Sequence, residues 1–244
     1  MTVPYVTAYS AEVSEATSDP DLVLRPYPDG SRRLVFLNER PGERDHGVLW
    51  GRMRSARGEG VPAFASLHTG RQKEIVEAAG CQICAGPGEL WLTPATVWKE
   101  YLAVRGAGAP FETSDPPVCR TCLPTATSQC PNMRGHGWVV LAAKTWTITG
   151  VRGYVADPER GLFGDDTNVA LPGARNHDPA KLALTLAKGL VVTLNSITAH
   201  TDPARVRGLG QRRELPPPPA PPPPPAPSVV TAYVVRIPNP RTGD

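Results

Sequence analysis

Gly80-Cys81-Gln82-Ile83-Cys84-Ala85-Gly86-Pro87-Gly88 and Pro116-Pro117-Val118-Cys119-Arg120-Thr121-Cys122 are the stretches on which the reading of this chain turns. In the first, two cysteines three positions apart run into closely spaced glycines. Such a run suits a zinc knuckle: a tight turn aims both sulfurs at one ion, and glycine supplies backbone angles closed to other residues. In the second, two prolines favour an extended approach, and Leu123 to Cys130 reads as a short helix with Pro124 in its first turn. A knuckle followed by a helix-borne pair is the order of a treble clef. A zinc ribbon, with both pairs on knuckles, is the alternative. One Cys-x-x-Cys is a weak signal, but two in a chain of 244 residues point to a shared metal. The 34 residues between Cys84 and Cys119 exceed the usual gap of about 15–20, so an inserted element is expected there.

Four thiolates fill a tetrahedron and leave no position for water or substrate. The expected cofactor is therefore a structural Zn2+ on Cys81, Cys84, Cys119 and Cys122. Disulfides and a redox pair are the other readings of these thiols. The opening Met1-Thr2-Val3-Pro4-Tyr5 lacks the basic and apolar regions of a signal peptide, and five cysteines is an odd count for a secreted framework. A thioredoxin-like motif is a single pair following a strand in a βαβ unit. A cytoplasmic location is the expectation. Cys130 reads as a small core residue, with a place in a variant metal site left open, and His136 stands alone among glycines.

Apolar residues make up 40% of the chain, enough for a core, and no stretch approaches the ~18 apolar residues of a membrane helix. The net charge is only +3, yet nearly all the cations are arginine, a residue fitted to phosphate and carboxylate contact. Arginines gather at Arg32, Arg33, Arg40, Arg44, Arg52, Arg54 and Arg57, interleaved with Glu39, Glu43 and Asp45. A phosphate-contacting face and a solvated surface are the two readings of that cluster.

The fold class expected is α+β: a small mixed sheet with packed helices around a treble-clef-like four-cysteine site, followed by a Pro-rich tail. Residues 1–24 read as a flexible lead-in, interrupted by the strand-like Tyr5 to Tyr9. Residues 25–204 read as one zinc-stabilised domain, with the zinc region at about 80–131. Leu34 to Leu37 and Val48 to Gly51 read as a hairpin or neighbouring strands. Thr69 reads as the N-cap of a helix ending at Gly80, which delivers the chain into the knuckle. Glu89 to Leu92 reads as a strand, and Thr93-Pro94 opens a helix carrying Trp98 and Tyr101, the inserted element between the pairs.

Beyond Cys130, Trp138 to Leu141 and Trp146 to Val151 read as two strands. Residues 156–178 read as a polar loop. Asp178-Pro179 reads as N-cap and first position of a helix to about Thr198, with Leu182, Leu186, Leu190, Leu194 and Ile197 as one stripe. Residues 205–227 read as an Arg-rich then Pro-rich linker, in which 216–227 is expected to be a polyproline rod. Residues 228–244 read as a strand-like tail. Val-Thr-Ala-Tyr stands at both 6–9 and 230–233, and either copy is placed to add a strand to a sheet.

The run Cys81-x-x-Cys84, Pro116-Pro117-x-Cys119-x-x-Cys122 and Cys130-Pro131 with Arg134 resembles a group of uncharacterised actinobacterial proteins with paired zinc-binding cysteines. The likeness covers roughly the middle third and implies no particular activity. A weaker similarity is to HNH-type nucleases, whose treble clef carries such pairs around a catalytic histidine. No histidine stands between Cys84 and Cys119 here.

The expected function is a zinc-stabilised binding protein contacting nucleic acid, DNA or RNA, or a protein partner in a regulatory role. The candidate nucleic-acid contacts are Arg32, Arg33, Arg52, Arg54, Arg57, Arg71 and Lys73. One alternative is an HNH-like nuclease or other metal-dependent hydrolase using His136 or His177. Another is an adaptor whose polyproline segment engages an aromatic-grooved domain.

Overall fold

The computed structural model describes residues 2–13, 16–161 and 163–201, with the backbone of 235–236. The strands before the first helix are β1 (Thr7–Tyr9), β2 (Leu22–Pro26), β3 (Arg32–Phe36), β4 (Arg44–Asp45), β5 (Val48–Trp50) and β6 (Pro62–Leu67). Then come α1 (Thr69–Glu77), β7 (Trp91–Pro94), α2 (Ala95–Arg105), β8 (Phe111–Thr113), α3 (Leu123–Gln129) and α4 (Pro131–His136). The last elements are β9 (Trp138–Ala156), β10 (Phe163–Ala170), α5 (Pro179–Ala183), β11 (Thr185–His200) and β12 (Val235–Arg236). The architecture is mixed α and β and carries a four-cysteine cluster.

Two long strands carry the main sheet. β9 and β11 run antiparallel from Thr185 opposite Val155 to His200 opposite Val140. Each carries two short strands on its outer edge. β9 takes β7 along 138–141 and β10 along 150–156. β11 takes β8, antiparallel, along 192–194 and β5, parallel, along 186–187. Between β5 and β8 the edge of β11 is met by a side chain rather than a strand. Gln72 of α1 accepts from the Leu190 N–H at 2.8 Å, donates to the Leu190 carbonyl at 3.0 Å, and donates to the Ser114 carbonyl at 2.8 Å. A primary amide offers the same donor and acceptor as a peptide group, so it satisfies the ladder where the strands leave a gap.

The apolar residues divide among three clusters. The largest joins Trp91, Leu141, Val151, Leu190 and Leu194, with Trp98 and Tyr101 packed against it. A second surrounds the cysteines: Cys81, Leu90, Val118, Leu123 and Val140. A third ties β2 and β3 to the sheet through Leu24, Phe36, Leu49 and Leu186. Full burial of a side chain of this size contributes about 1.5–3 kcal/mol each.

Several expectations are corrected. The helix expected to run to about Thr198 stops at Ala183, and β11 takes its place. A leucine every fourth residue lies on one face of a helix, but also on one face of a strand, because four is a multiple of two. Val191, Val192 and Thr193 then favour the strand, and the chain is buried on both faces at Leu190 and Val191. The two strands expected at 138–141 and 146–151 are one continuous strand, β9. The polar loop 156–178 contains β10, where Asp166 meets Arg152 and Lys188 at 2.9 Å each.

The 34–37 and 48–51 runs do not form a hairpin: β3 pairs with β2, and β5 pairs with β4 and β11. Within the expected lead-in 1–24, β1 pairs with β6, and Leu22, Val23 and Leu24 are buried. Asp178 caps α5 as expected, accepting from the N–H groups of Ala180 and Lys181. β12 adds to β2, with Val235 opposite Leu24. The polyproline segment and the second Val-Thr-Ala-Tyr lie outside the described residues.

Candidate metal centre and the neighbouring cleft

The first cysteine pair sits in a turn that follows α1. The Ala85 N–H donates to the Cys81 carbonyl at 2.9 Å, and Ala85 takes a left-handed φ of 62° to reverse the chain. Gly88 returns so close that a Cβ there would stand 2.9 Å from the Gly80 carbonyl oxygen, which only glycine permits. The second pair opens α3, with Cys122 as its N-cap residue. Two links lock the pairs together. The Gln82 N–H donates to the Pro117 carbonyl at 2.8 Å, and the Gln82 side chain donates to the Pro116 carbonyl at 2.9 Å. Arg120 adds an ion pair to Glu89.

This frame brings the four sulfurs of Cys81, Cys84, Cys119 and Cys122 within 4.8 Å of one another. The Cys84 and Cys119 sulfurs are 3.9 Å apart. A regular tetrahedron with metal–sulfur bonds of about 2.3 Å has edges of about 3.8 Å, so the spacing fits one zinc-sized ion. Backbone N–H groups already point at the sulfurs: Ile83 to Cys81 and Cys122 to Cys119, both at 3.4 Å. Cys81 is buried and Cys84 is exposed, so the cluster sits at the surface with one edge in the core.

The thiols are perturbed in opposite directions. Burial pushes the Cys122 thiol far up, and hydrogen bonding with Cys119 and Cys84 adds to that. Burial raises Cys119 too, more than the Cys122 N–H lowers it. At Cys84 burial also acts upward, but the Gly86 N–H and the neighbouring thiols outweigh it and the pKa falls. A bound divalent cation reverses this balance, because a coordinating thiol is deprotonated outright. Cys130, at the junction of α3 and α4, lies outside the cluster, and His136 is exposed at the end of α4. His177 hydrogen-bonds the Ala170 carbonyl at 3.1 Å.

Asp45, His46 and Glu77 form a second group with ligand-type atoms within 4.8 Å. There the Lys73 ammonium already bonds Asp45 and lies 3.9 Å from Glu77. The group is an internal ion network met by a lysine.

The seven basic residues read as nucleic-acid contacts scatter over the structure. Arg32 donates to the Pro158 carbonyl, and Arg33 sits 3.6 Å from Asp29 and over the Tyr27 ring. Arg57 lies over the Tyr5 ring at 4.7 Å. Arg71 is inside the protein. It forms two hydrogen bonds to Glu12, whose side chain is fully buried, and its guanidinium is the first cause that holds the Glu12 carboxyl at about 2. Arg71 is thus committed to the fold and presents no surface cation.

The other three, Arg52, Arg54 and Lys73, line one cleft of about 850 Å3 together with Arg40. Its floor is the start of α1. His68, not Thr69, is the N-cap: its Nδ1 accepts from the Arg71 N–H at 3.3 Å, and its Nε2 meets the Arg54 carbonyl at 3.3 Å. That pattern fits the neutral imidazole with its proton on Nε2, and burial, then Arg71, lowers the pKa of His68 accordingly. Arg40, His68 and Thr69 escape the sequence reading as cleft residues, because only the fold brings 40–54 against 68–73.

The likeness to actinobacterial zinc proteins and to HNH nucleases rests on the motif of residues 81–134 alone. No protein-family model, no curated protein and no solved structure matches the chain.

Proposed function

We propose that this protein is a zinc-stabilised binding module of treble-clef type that contacts nucleic acid. The observation that carries the zinc half is the four-sulfur cluster with 3.9 Å between Cys84 and Cys119, built from two pairs far apart in sequence. Zinc on four thiolates has no open position, so its role is to hold the knuckle and α3 in register. Apparent binding free energies of structural zinc in finger peptides are about 10–16 kcal/mol, and ordering of residues 80–131 draws on a term of that kind. The second pair at the start of a helix favours the treble clef over the ribbon.

The nucleic-acid half is supported by the convergence of Arg40, Arg52, Arg54 and Lys73 on one cleft. Asp19 and Glu43 also line it, and both are engaged by Arg52, at 3.6 and 2.7 Å.

The test has two readouts. Purified protein should carry one zinc per chain by elemental analysis, and Cys84→Ser with Cys119→Ser should remove it. Electrophoretic mobility shifts with single-stranded and duplex DNA across a salt series should weaken linearly in log–log form. Zinc at one per chain with no salt-dependent shift retains the metal centre and rejects the nucleic-acid partner.

A further inference from the structure

We propose that the four-cysteine cluster is a redox-sensitive switch, in which a peroxide closes a disulfide between Cys84 and Cys119 and so releases the zinc. The switch deepens the metal reading given above and rests on it. Among the four cysteines Cys84 is the exposed one; Cys81 is buried, and Cys119 and Cys122 are half-buried. The turn leaves that side of the cluster thinly covered. Ala85 and Pro87 are exposed beside it. Gly86 places no side chain over the sulfur, and a Cβ there would stand 3.5 Å from the Cys84 sulfur. Oxidation of a thiolate follows its access to solvent, so Cys84 is where an oxidant enters.

The partner sulfur is already in place. Cys119 stands 3.9 Å from Cys84, sulfur to sulfur. A disulfide bond is about 2.05 Å long, so closure needs an approach of about 2 Å. A coordinating thiol is deprotonated. The Cys84 thiolate attacks one oxygen of hydrogen peroxide; the O–O bond breaks, hydroxide leaves and Cys84 becomes a sulfenic acid. The Cys119 thiolate then attacks the Cys84 sulfur; the S–S bond forms, the S–O bond breaks and a second hydroxide leaves. Two electrons pass from the two sulfurs to the peroxide, and two protons from solvent turn both hydroxides into water. Two of the four ligands have then lost their charge, and Cys81 and Cys122 alone do not make a closed structural site. The frame around the cluster survives, since Gln82 bonds the Pro117 and Pro116 carbonyls through protein groups alone. Reduction by a thiol therefore regenerates four thiolates in position, and the switch is reversible.

The experiment uses the full-length zinc-loaded protein. Elemental analysis first fixes the metal content. Hydrogen peroxide is then added, zinc release is followed with a chromogenic chelator, and free thiols are alkylated for peptide mass mapping. Release of the bound zinc is expected, with a disulfide that links Cys84 to Cys119, and a thiol reductant with added zinc should restore the starting content. Gly86→Ala puts a methyl group beside the sulfur at an ordinary contact distance and should slow release about threefold or more, through access alone. Cys130→Ser should leave the rate unchanged, because Cys130 stands outside the cluster. At limiting peroxide, Cys84 of the unaltered protein should be the first cysteine lost to alkylation, a measurement that needs no variant. Zinc retained under peroxide, Cys84 left reduced, or a disulfide from Cys84 to any sulfur other than Cys119 overturns the switch and keeps the metal centre. An unchanged rate in Gly86→Ala, or a slower one in Cys130→Ser, overturns entry at Cys84. Protein that carries no zinc before treatment overturns the metal reading and the switch with it.

Discussion

Replacing Gln72 by methionine tests how the main sheet is closed. Gln72 is 1% exposed and supplies three hydrogen bonds, two of them to the backbone of Leu190 in a buried setting. Methionine keeps the length and nearly the volume, so the cavity contribution is small. It leaves the Leu190 N–H and C=O without partners. β5 pairs only as far as Ala187 and β8 begins at Val192, so neither neighbouring strand reaches Leu190. Each unmet buried group costs about 1–3 kcal/mol, giving a loss of about 4 kcal/mol for the two. That is a large fraction of a typical domain stability of about 5–15 kcal/mol.

The assay is urea unfolding of zinc-loaded protein at neutral pH, with the denaturant slope checked for constancy. Gln72→Glu is the companion variant. It keeps an acceptor for the Leu190 N–H but aims a carboxylate at two carbonyl oxygens, which raises its folded pKa above the unfolded value of about 4.3. Its stability is therefore closest to wild type below that pH, where the protonated acid donates, and falls as pH rises through the folded pKa. A methionine variant within about 0.5 kcal/mol of wild type, the range of an ordinary surface change, refutes the reasoning.

Four further outcomes are expected. The Glu12 carboxyl, held at about 2 against an ordinary 4.5, contributes stability that is complete above pH 4.5 and is lost as pH falls toward 2, roughly 3 kcal/mol at most; acid unfolding of Glu12→Gln should lack that component. Gly153→Ala places a Cβ 2.2 Å from the Leu186 carbonyl oxygen between β9 and β11, and thermal unfolding should show a loss of about 3 kcal/mol. Cobalt in place of zinc should give the visible absorption of a tetrahedral thiolate site, with Cys81→Ser weakening it and Cys130→Ser leaving it unchanged, because Cys130 stands outside the cluster. Truncation after residue 215 should leave zinc at one per chain by elemental analysis, since all four sulfurs lie between 81 and 122; loss of the metal would show that the tail supports the site.

The four-cysteine cluster was legible in the sequence because the turns that present each pair are local. Two residues between cysteines suffice to aim both sulfurs at one point, and a pair of such turns has few uses besides a shared ion. Asp178 before Pro179 was legible for the same reason, since a capping side chain and its N–H partners lie within three residues. Leucines at 182, 186, 190 and 194 were not decisive, because a spacing of four satisfies both the helix and the strand; pairing with β9, β8 and β5 selected the strand.

The merger of 138–141 and 146–151 into β9 likewise came from its partner, which continues opposite the intervening residues. No local signal marks Gln72 as a stand-in for a strand, or Arg71 as the partner of Glu12. Each needs a group 118 or 59 residues away to give it a role. The cleft belongs to the same class. Its cations were visible one by one, but whether a cation faces solvent, a carboxylate or the end of a helix depends on which segments the core draws together. Sequence determined the cysteine pairs and the turns that present them; tertiary packing decided which strands pair and which charges are buried.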